Sequence, residues 1–197
     1  RFWYSLGNGL GNGLDNNWYL DGNNASVVSS DGNKTTVQMG SGYRGDLWLA
    51  RSGKGKIVNV TPADYRYFAI KVGFKSQLVP GKNKPNGCIK LEIFDDGIKK
   101  IGPEYFGTGG DANNRYEILG ASEISTTEPN VLYYDLQSKY KTVTPTDWNQ
   151  VFDLVQCKFV IADFPETAQT YDLYWIRSFK SIEELQAFVD SENNTNE

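Results

Sequence analysis

The residues most suggestive of chemistry are Arg44, Asp46 and Trp48, which are spaced two apart along the chain. In an extended strand such residues share one face, and Leu47 and Leu49 then point to the opposite, core face. An indole beside a cation and a carboxylate suits a sugar: the ring stacks on the pyranose, and the polar groups bond its hydroxyls. The alternative is that Trp48 packs under a loop or helix, beside an ordinary Arg44–Asp46 ion pair.

Further aromatic residues are candidates for the same kind of contact. Alternation predicts Tyr67 on the outer side of one strand, and Tyr133 with Asp135 on the outer side of another. Trp18 and Tyr19 are adjacent aromatic residues among Asn and Gly residues, which is typical of a binding loop. The alternative is a hydrophobic plug that ties down the N-terminal segment. The candidate ligand-binding set is Trp48, Arg44, Asp46, Tyr67, Tyr133, Asp135, Trp18 and Tyr19, and no catalytic residue is predicted.

The balance of residue types favours binding over catalysis. The chain contains 12 Tyr, 10 Phe and 5 Trp but no histidine. Without histidine, a Ser-His-Asp or Cys-His nucleophilic set and a Cys/His zinc site are excluded. A glycosidase with paired carboxylates needs only two Asp or Glu residues and stays open as an alternative. However, Glu92 and the Asp95-Asp96 pair lead into Gly97, which indicates a hairpin turn.

Charge and cysteine content limit the partners and cofactors. The net charge is −4 without a basic tract, so we expect no nucleic-acid partner. No apolar run approaches the ~20 residues of a membrane span, so we expect no membrane insertion of this segment. Cys88 and Cys157 lie in apolar runs and are expected to be buried thiols, with a disulfide as the alternative. No cofactor is required. Turn-like contexts around Asp15, Asp21, Asp31 and Asp111 leave a structural Ca²⁺ open.

Short strands separated by Gly, Pro and Asn turns predict an all-β, antiparallel β-sandwich. Strands are expected over 35–39, 43–51, 67–74, 88–94, 131–136, 155–162 and 172–179. Residues 1–34 are predicted to be a loop-rich entry segment. A capping box formed by Ser181 and Glu184 begins a short helix over 181–190. Residues 191–197 are expected to be a disordered tail or linker remnant, so a single domain spans 1–190.

Alternation also predicts the core. Phe68, Ile70, Val72 and Phe74 are expected inside, whereas Tyr67, Ala69 and Lys71 are expected outside. Val155, Cys157, Phe159 and Ile161 are likewise expected in the core. Trp175 lies in a run too apolar for solvent and is expected in the core or beneath the terminal helix.

The segment Tyr174-Trp175-Ile176-Arg177-Ser178-Phe179-Lys180-Ser181-Ile182-Glu183-Glu184-Leu185 resembles the C-terminal end of a family of exported Bacteroidetes domains of unknown function. These domains have a galactose-binding-like β-sandwich of the jelly-roll kind. Similar stretches lie at Tyr43–Trp48, Tyr67–Lys71, Val131–Leu136 and Phe159–Asp163. The family provides no functional residues to transfer, so the candidate site depends on strand alternation.

The resemblance implies a non-catalytic carbohydrate-binding module of a cell-surface polysaccharide-utilisation protein. Its partner would be a polysaccharide or oligosaccharide. Its location would be extracellular, at the cell surface or periplasmic, and we expect a monomer within a larger multidomain protein. The alternative is a structural or protein-interaction module of a surface lipoprotein or a modular glycoside hydrolase.

Overall fold

The structure is a computed structural model of the chain. It describes backbone and side chains for residues 25–31, 33–39, 65–77, 116–135 and 169–194. For residues 3–4, 18–20, 44–49, 58–60, 89–94 and 152–162 it describes the placement of the backbone in strands.

Within this part of the chain, strands dominate and one helix follows them. The strands are β1 (Trp3–Tyr4), β2 (Trp18–Leu20), β3 (Ala25–Ser30), β4 (Thr35–Met39), β5 (Arg44–Leu49), β6 (Val58–Val60), β7 (Tyr67–Phe74), β8 (Ile89–Phe94), β9 (Glu117–Ile118), β10 (Asn130–Asp135), β11 (Phe152–Ala162) and β12 (Thr170–Phe179), and the helix is α1 (Ile182–Asn194).

The strands form two antiparallel sheets. A seven-stranded sheet has the order β3-β4-β12-β7-β10-β9, and β1 also pairs with β12. A five-stranded sheet has the order β2-β5-β11-β6, and β8 also pairs with β11. β12 is the central strand of the first sheet and β11 that of the second, so the two longest strands organise the fold.

The seven-stranded sheet is buried on one face and, on the other, where α1 covers it, whereas most of β3 and Gln38 of β4 are exposed. On one face Phe68, Ile70, Val72 and Phe74 are at most 3% exposed, as alternation predicts. Leu132, Tyr134, Tyr171 and Leu173 on neighbouring strands are fully buried with them. The other face carries a second core cluster of Ala69, Val131, Trp175 and Phe179, against which Leu185 of α1 packs. Since α1 covers only this second face, another layer must cover the first. The predicted antiparallel sandwich with one short C-terminal helix is therefore confirmed.

The helix explains two outcomes for the predicted core. Ala69 was expected to face outward, but it is fully buried because α1 covers that face. Trp175 is 2% exposed, and its ring makes edge contacts with Phe179 and Phe188, so the prediction that it docks the helix is confirmed. The side chains of Val155, Cys157, Phe159 and Ile161 in β11 are outside the part that the structure describes, so their burial stays a prediction.

The helix begins as predicted but ends later. Ser181 Oγ accepts a hydrogen bond from the Glu184 N–H at 3.1 Å, and Glu184 Oε2 accepts one from the Lys180 N–H at 2.6 Å. The expected end at residue 190 is wrong, because α1 continues to Asn194. The last turn is held by Glu192, whose carboxylate accepts hydrogen bonds from the buried indole of Trp175. Within the described residues, no helix has the length and apolar character to cross a bilayer.

The N-terminal segment holds more strands than its Gly and Asn content predicts. Three short strands, β1, β2 and β3, lie within residues 1–34. β1 pairs with β12, β2 with β5 and β3 with β4. Cross-strand hydrogen bonds therefore outweigh the weak local strand propensity of this segment.

Asp31, one of the residues in a predicted turn-like context, organises the β3–β4 hairpin. Its Oδ1 accepts hydrogen bonds from the N–H groups of Asn33 at 2.6 Å and Lys34 at 2.9 Å. These backbone hydrogen bonds hold the pKa of the Asp31 carboxyl below its usual value. The contacts account for Asp31 as a turn residue. Asp15, Asp21 and Asp111 lie outside the described residues. Among those described, no cluster of three or more His, Cys, Asp or Glu side chains is arranged to hold a metal ion.

Candidate functional site

The predicted ligand-binding residues divide between the two sheets. The five-stranded sheet contains Arg44, Asp46 and Trp48 on β5, and Trp18 and Tyr19 on β2. The seven-stranded sheet contains Tyr67 on β7, and Tyr133 and Asp135 on β10. The candidate residues therefore form two groups, one on each sheet.

Four residues occupy directly opposed positions on neighbouring strands of the five-stranded sheet: Tyr19, Trp48, Lys158 and Glu92. We call these four positions the aromatic–charged row. Tyr19 is the register partner of Trp48, Trp48 of Lys158, and Lys158 of Glu92. Directly opposed residues of antiparallel strands share a face of the sheet, and their Cα atoms are about 4.5–5.5 Å apart. The row thus places two aromatic and two oppositely charged residue types side by side across four strands.

The positions of Arg44 and Asp46 belong to the same face as this row. The register between β5 and β11 runs without a shift from Leu49 to Arg44, so positions 44, 46 and 48 alternate regularly. Asp46 pairs with Val160, which in turn pairs with Lys90 on β8. A second charged row therefore lies next but one to the aromatic–charged row.

The intervening rows are apolar. Leu49 pairs with Cys157 and Cys157 with Ile93, while Leu47 pairs with Phe159 and Phe159 with Leu91. One face of the five-stranded sheet thus collects apolar residue types. The other face collects the charged positions together with the aromatic positions 19, 48 and 94 and the apolar position 160. Such a division is typical of a sheet with one face toward a core.

Trp18 is separated from Tyr19 by this alternation. The loop predicted for the two rings is wrong, because both residues lie in β2. Trp18 is the register partner of Leu49 and so takes a position on the apolar face, whereas Tyr19 pairs with Trp48. Adjacent positions of a strand belong to opposite faces of its sheet, so positions 18 and 19 do not share a face.

Tyr67, Tyr133 and Asp135 do come together at the start of β7 and the end of β10. The two rings meet edge to face, with centroids 6.1 Å apart and an interplanar angle of 74°. Both oxygens of Asp135 accept hydrogen bonds from the Arg66 guanidinium, at 2.6 Å each. The same guanidinium lies 5.3 Å from the centre of the Tyr67 ring. We call these four residues the Arg66 cluster.

Packing limits what the Arg66 cluster can bind. Both tyrosines are half-buried and pack against the core cluster beneath α1. Burial raises the pKa of Tyr133, and the negative charge of Glu117 adds to this effect. Because Arg66 engages both carboxylate oxygens and the core holds the rings, this arrangement primarily ties two strand ends together.

The sequence patterns did not predict a role for Lys158 or Arg66, nor the position of Glu92 in the aromatic–charged row. A signal for Lys158 was present: with Cys157 and Phe159 assigned to the core, Lys158 must take the other face. Its alignment with Trp48 depends on strand order, which alternation does not give. Arg66 lies just before a predicted strand, and its pairing with Asp135 joins positions far apart in sequence.

Comparison with known proteins places the chain. A family described as "Domain of unknown function (DUF4979)" matches residues 9–185. The chain belongs to this family. The expected resemblance to a family of unknown function is thereby supported, whereas Bacteroidetes origin and export remain predictions. The aromatic–charged row and the Arg66 cluster both lie within the range that matches the DUF4979 family.

A solved structure provides a more distant comparison. The chain is similar to the crystal structure of Caldicellulosiruptor saccharolyticus CBM27-1 in complex with mannohexaose, at 11% sequence identity and a TM-score of 0.36. The comparison covers 80% of this chain and 81% of that chain. None of the curated proteins matches the sequence.

Proposed function

We propose that this domain is a non-catalytic carbohydrate-binding module of a cell-surface polysaccharide-utilisation protein. The observation that carries the proposal is the register that sets Trp48 opposite Tyr19 in a row completed by Lys158 and Glu92. The same face includes the positions of Arg44 and Asp46. Location outside the cytoplasm, at the cell surface or in the periplasm, is part of the proposal.

The chemistry of this face suits a neutral sugar chain. Two rings on adjacent strands offer neighbouring apolar surfaces on which pyranose C–H faces stack. Lysine and arginine supply donors, and glutamate and aspartate supply acceptors, so hydroxyl groups find both kinds of partner. Each stacked ring contributes about 1 kcal/mol beyond its buried area. Affinity for one short chain is therefore modest, and repeated modules on a polymer raise it by avidity.

The Arg66 cluster has less support as a sugar site. Its carboxylate is committed to a bidentate ion pair, and Tyr133 is wedged against the core. In the proposed function these residues stabilise the seven-stranded sheet, and the sugar binds to the five-stranded sheet.

The test combines a glycan array with calorimetry on the whole chain and its variants. Trp48→Ala and Tyr19→Ala are each expected to weaken binding of the best glycan by about five- to tenfold, the equivalent of about 1 kcal/mol. Tyr65→Ala is the matched control, since its half-buried ring precedes β7 in the other sheet, and it should leave affinity unchanged.

Two results would contradict the proposal at different points. Glycan binding that Trp48→Ala leaves intact would place the site elsewhere. A failure of every polysaccharide to bind would remove the function, and a structural or protein-interaction module would then be the better reading.

A further inference from the structure

A pocket of about 480 Å³ lies where α1 meets the segment between β9 and β10. Leu119, Val131 and Val189 give it apolar walls, while Lys71, Glu128 and Gln186 supply polar groups. Pockets that bind small molecules commonly range from about 300 to 1,000 Å³ and combine an apolar lining with a few polar groups. The pocket belongs to neither the aromatic–charged row nor the Arg66 cluster.

The wall formed by the β9–β10 segment is fixed by a buried amide. Asn130 is 4% exposed, and its Oδ1 accepts a hydrogen bond from the Ser125 N–H at 2.8 Å. Its Nδ2 donates to the carbonyls of Ser125 at 3.0 Å and Val72 at 3.3 Å. Gln77 Nε2 donates to the Ile124 carbonyl at 2.7 Å. A wall held in this way loses little conformational freedom when a ligand binds.

Lys71 contributes an ammonium group with unused donor capacity. Its side chain is 19% exposed, and its Nζ lies 3.5 Å from Glu192 Oε1 and 5.2 Å from the Tyr174 ring centre. An ammonium has three N–H donors, and 3.5 Å is at the long end for a hydrogen bond. Within the described part of the chain, this largely covered cation thus makes one long hydrogen bond, to Glu192, besides its contact with the Tyr174 ring.

The charges around the pocket indicate the class of ligand. Glu128 in the lining and Glu192 beside Lys71 outnumber the single cation, which disfavours a phosphate or carboxylate. Ammonium and amide donors with carboxylate acceptors, set against aliphatic walls, match a molecule with several hydroxyls and an apolar C–H face.

We propose that this pocket is a second ligand site, which takes one neutral sugar ring through Lys71, Glu128 and Gln186. The ligand class rests on the proposed carbohydrate binding, whereas the position of the site rests on the pocket alone. The domain would then hold a polymer on the five-stranded sheet and a terminal or single ring beside α1.

The test is a ¹⁵N–¹H NMR titration of the whole chain with D-glucose, D-mannose and D-galactose. Sugar-dependent shifts are expected at the amides of Leu119, Gly120 and Val189. Lys71→Met keeps the apolar stem but removes the ammonium, and it should weaken this binding about tenfold or more. Lys75→Met alters an exposed lysine just beyond the same strand and should change nothing. Gln186→Ala, on the exposed side of α1, gives a second variant should Lys71→Met fail to fold.

Trp48→Ala separates this proposal from the proposed function. Pocket shifts that persist in Trp48→Ala and weaken in Lys71→Met support a second site. Sugar-dependent shifts confined to β2, β5, β8 and β11 would overturn the pocket but leave the proposed function intact. The absence of any sugar-dependent shift at the pocket would also overturn it, and the glycan array then decides the proposed function separately.

Discussion

Glu192 offers the sharpest test of how α1 is fixed to the seven-stranded sheet. Its two carboxylate oxygens each lie 3.1 Å from Trp175 Nε1, and one lies 3.5 Å from Lys71 Nζ. Trp175 is 2% exposed, so Glu192→Ala leaves a buried indole N–H without its acceptor. That loss costs about 1–3 kcal/mol, and the partly exposed ion pair adds at most about 1 kcal/mol. We expect a total destabilisation of about 2–3 kcal/mol.

Urea denaturation and thermal melting measure this loss. For a chain of this size, 1 kcal/mol lowers Tm by about 2–4 °C, so Glu192→Ala should lower it by about 4–12 °C. Glu192→Gln keeps an oxygen acceptor for the indole and should lose less than half as much. Ending the chain after Asn194 should have no effect, whereas ending it after Asp190 should match or exceed Glu192→Ala. If Glu192→Ala is as stable as the wild type within about 0.5 kcal/mol, the reasoning about the helix end is refuted.

Three further variants test the packing, the pocket wall and the pH response. Leu185→Ala empties a fully buried position and should cost about 2–5 kcal/mol in urea denaturation, whereas Ala187→Ser on the exposed side of α1 should cost little; equal effects would contradict the packing. Asn130→Ala should speed protease cleavage within residues 121–129 without a new cleavage site in α1, and unchanged cleavage would show that other contacts hold the segment. Burial raises the pKa of Tyr133 above its ordinary value of 10.0, so its contribution to stability is complete below that pH and is lost as pH rises through the folded-state pKa. Tyr133→Phe should therefore flatten the alkaline fall in Tm, and an unaltered pH profile would assign that fall to other groups.

Alternation predicted one face of the seven-stranded sheet because the period of two is written directly in β7. Phe68 and Ile70 are both fully buried as expected. The same pattern assigned Ala69 outward, since small residues are compatible with either environment. Its burial depends on α1, which packs on that face from more than a hundred residues further along the chain. Local periodicity therefore gave the strand and one of its faces, but not the layer on the other face.

Elements fixed by distant contacts escaped prediction for the same reason. No apolar residue follows Val189, so the sequence gives no local signal that α1 continues to Asn194. The continuation depends on Glu192 reaching Trp175 on β12. Likewise, β2 has only three residues and is a strand because β5 pairs with it. Trp48 and its polar neighbours were predictable from spacing, whereas the alignment with Tyr19 required the strand order.

The two sheets leave different surfaces for a ligand. The core buries one face of the seven-stranded sheet, and α1 covers the cluster on the other face, so open surface on this sheet is confined to the side of β3 and β4. A polymer is therefore expected on the five-stranded sheet at Trp48, and a single ring at Lys71. Because these positions lie in different sheets, the effects of Trp48→Ala and Lys71→Met on oligosaccharide affinity should add in the double variant within about 0.5 kcal/mol. Calorimetry on the four proteins measures the coupling. A coupling well above this value would mean that both residues contact the same stretch of sugar, and the separation into two sites would be wrong.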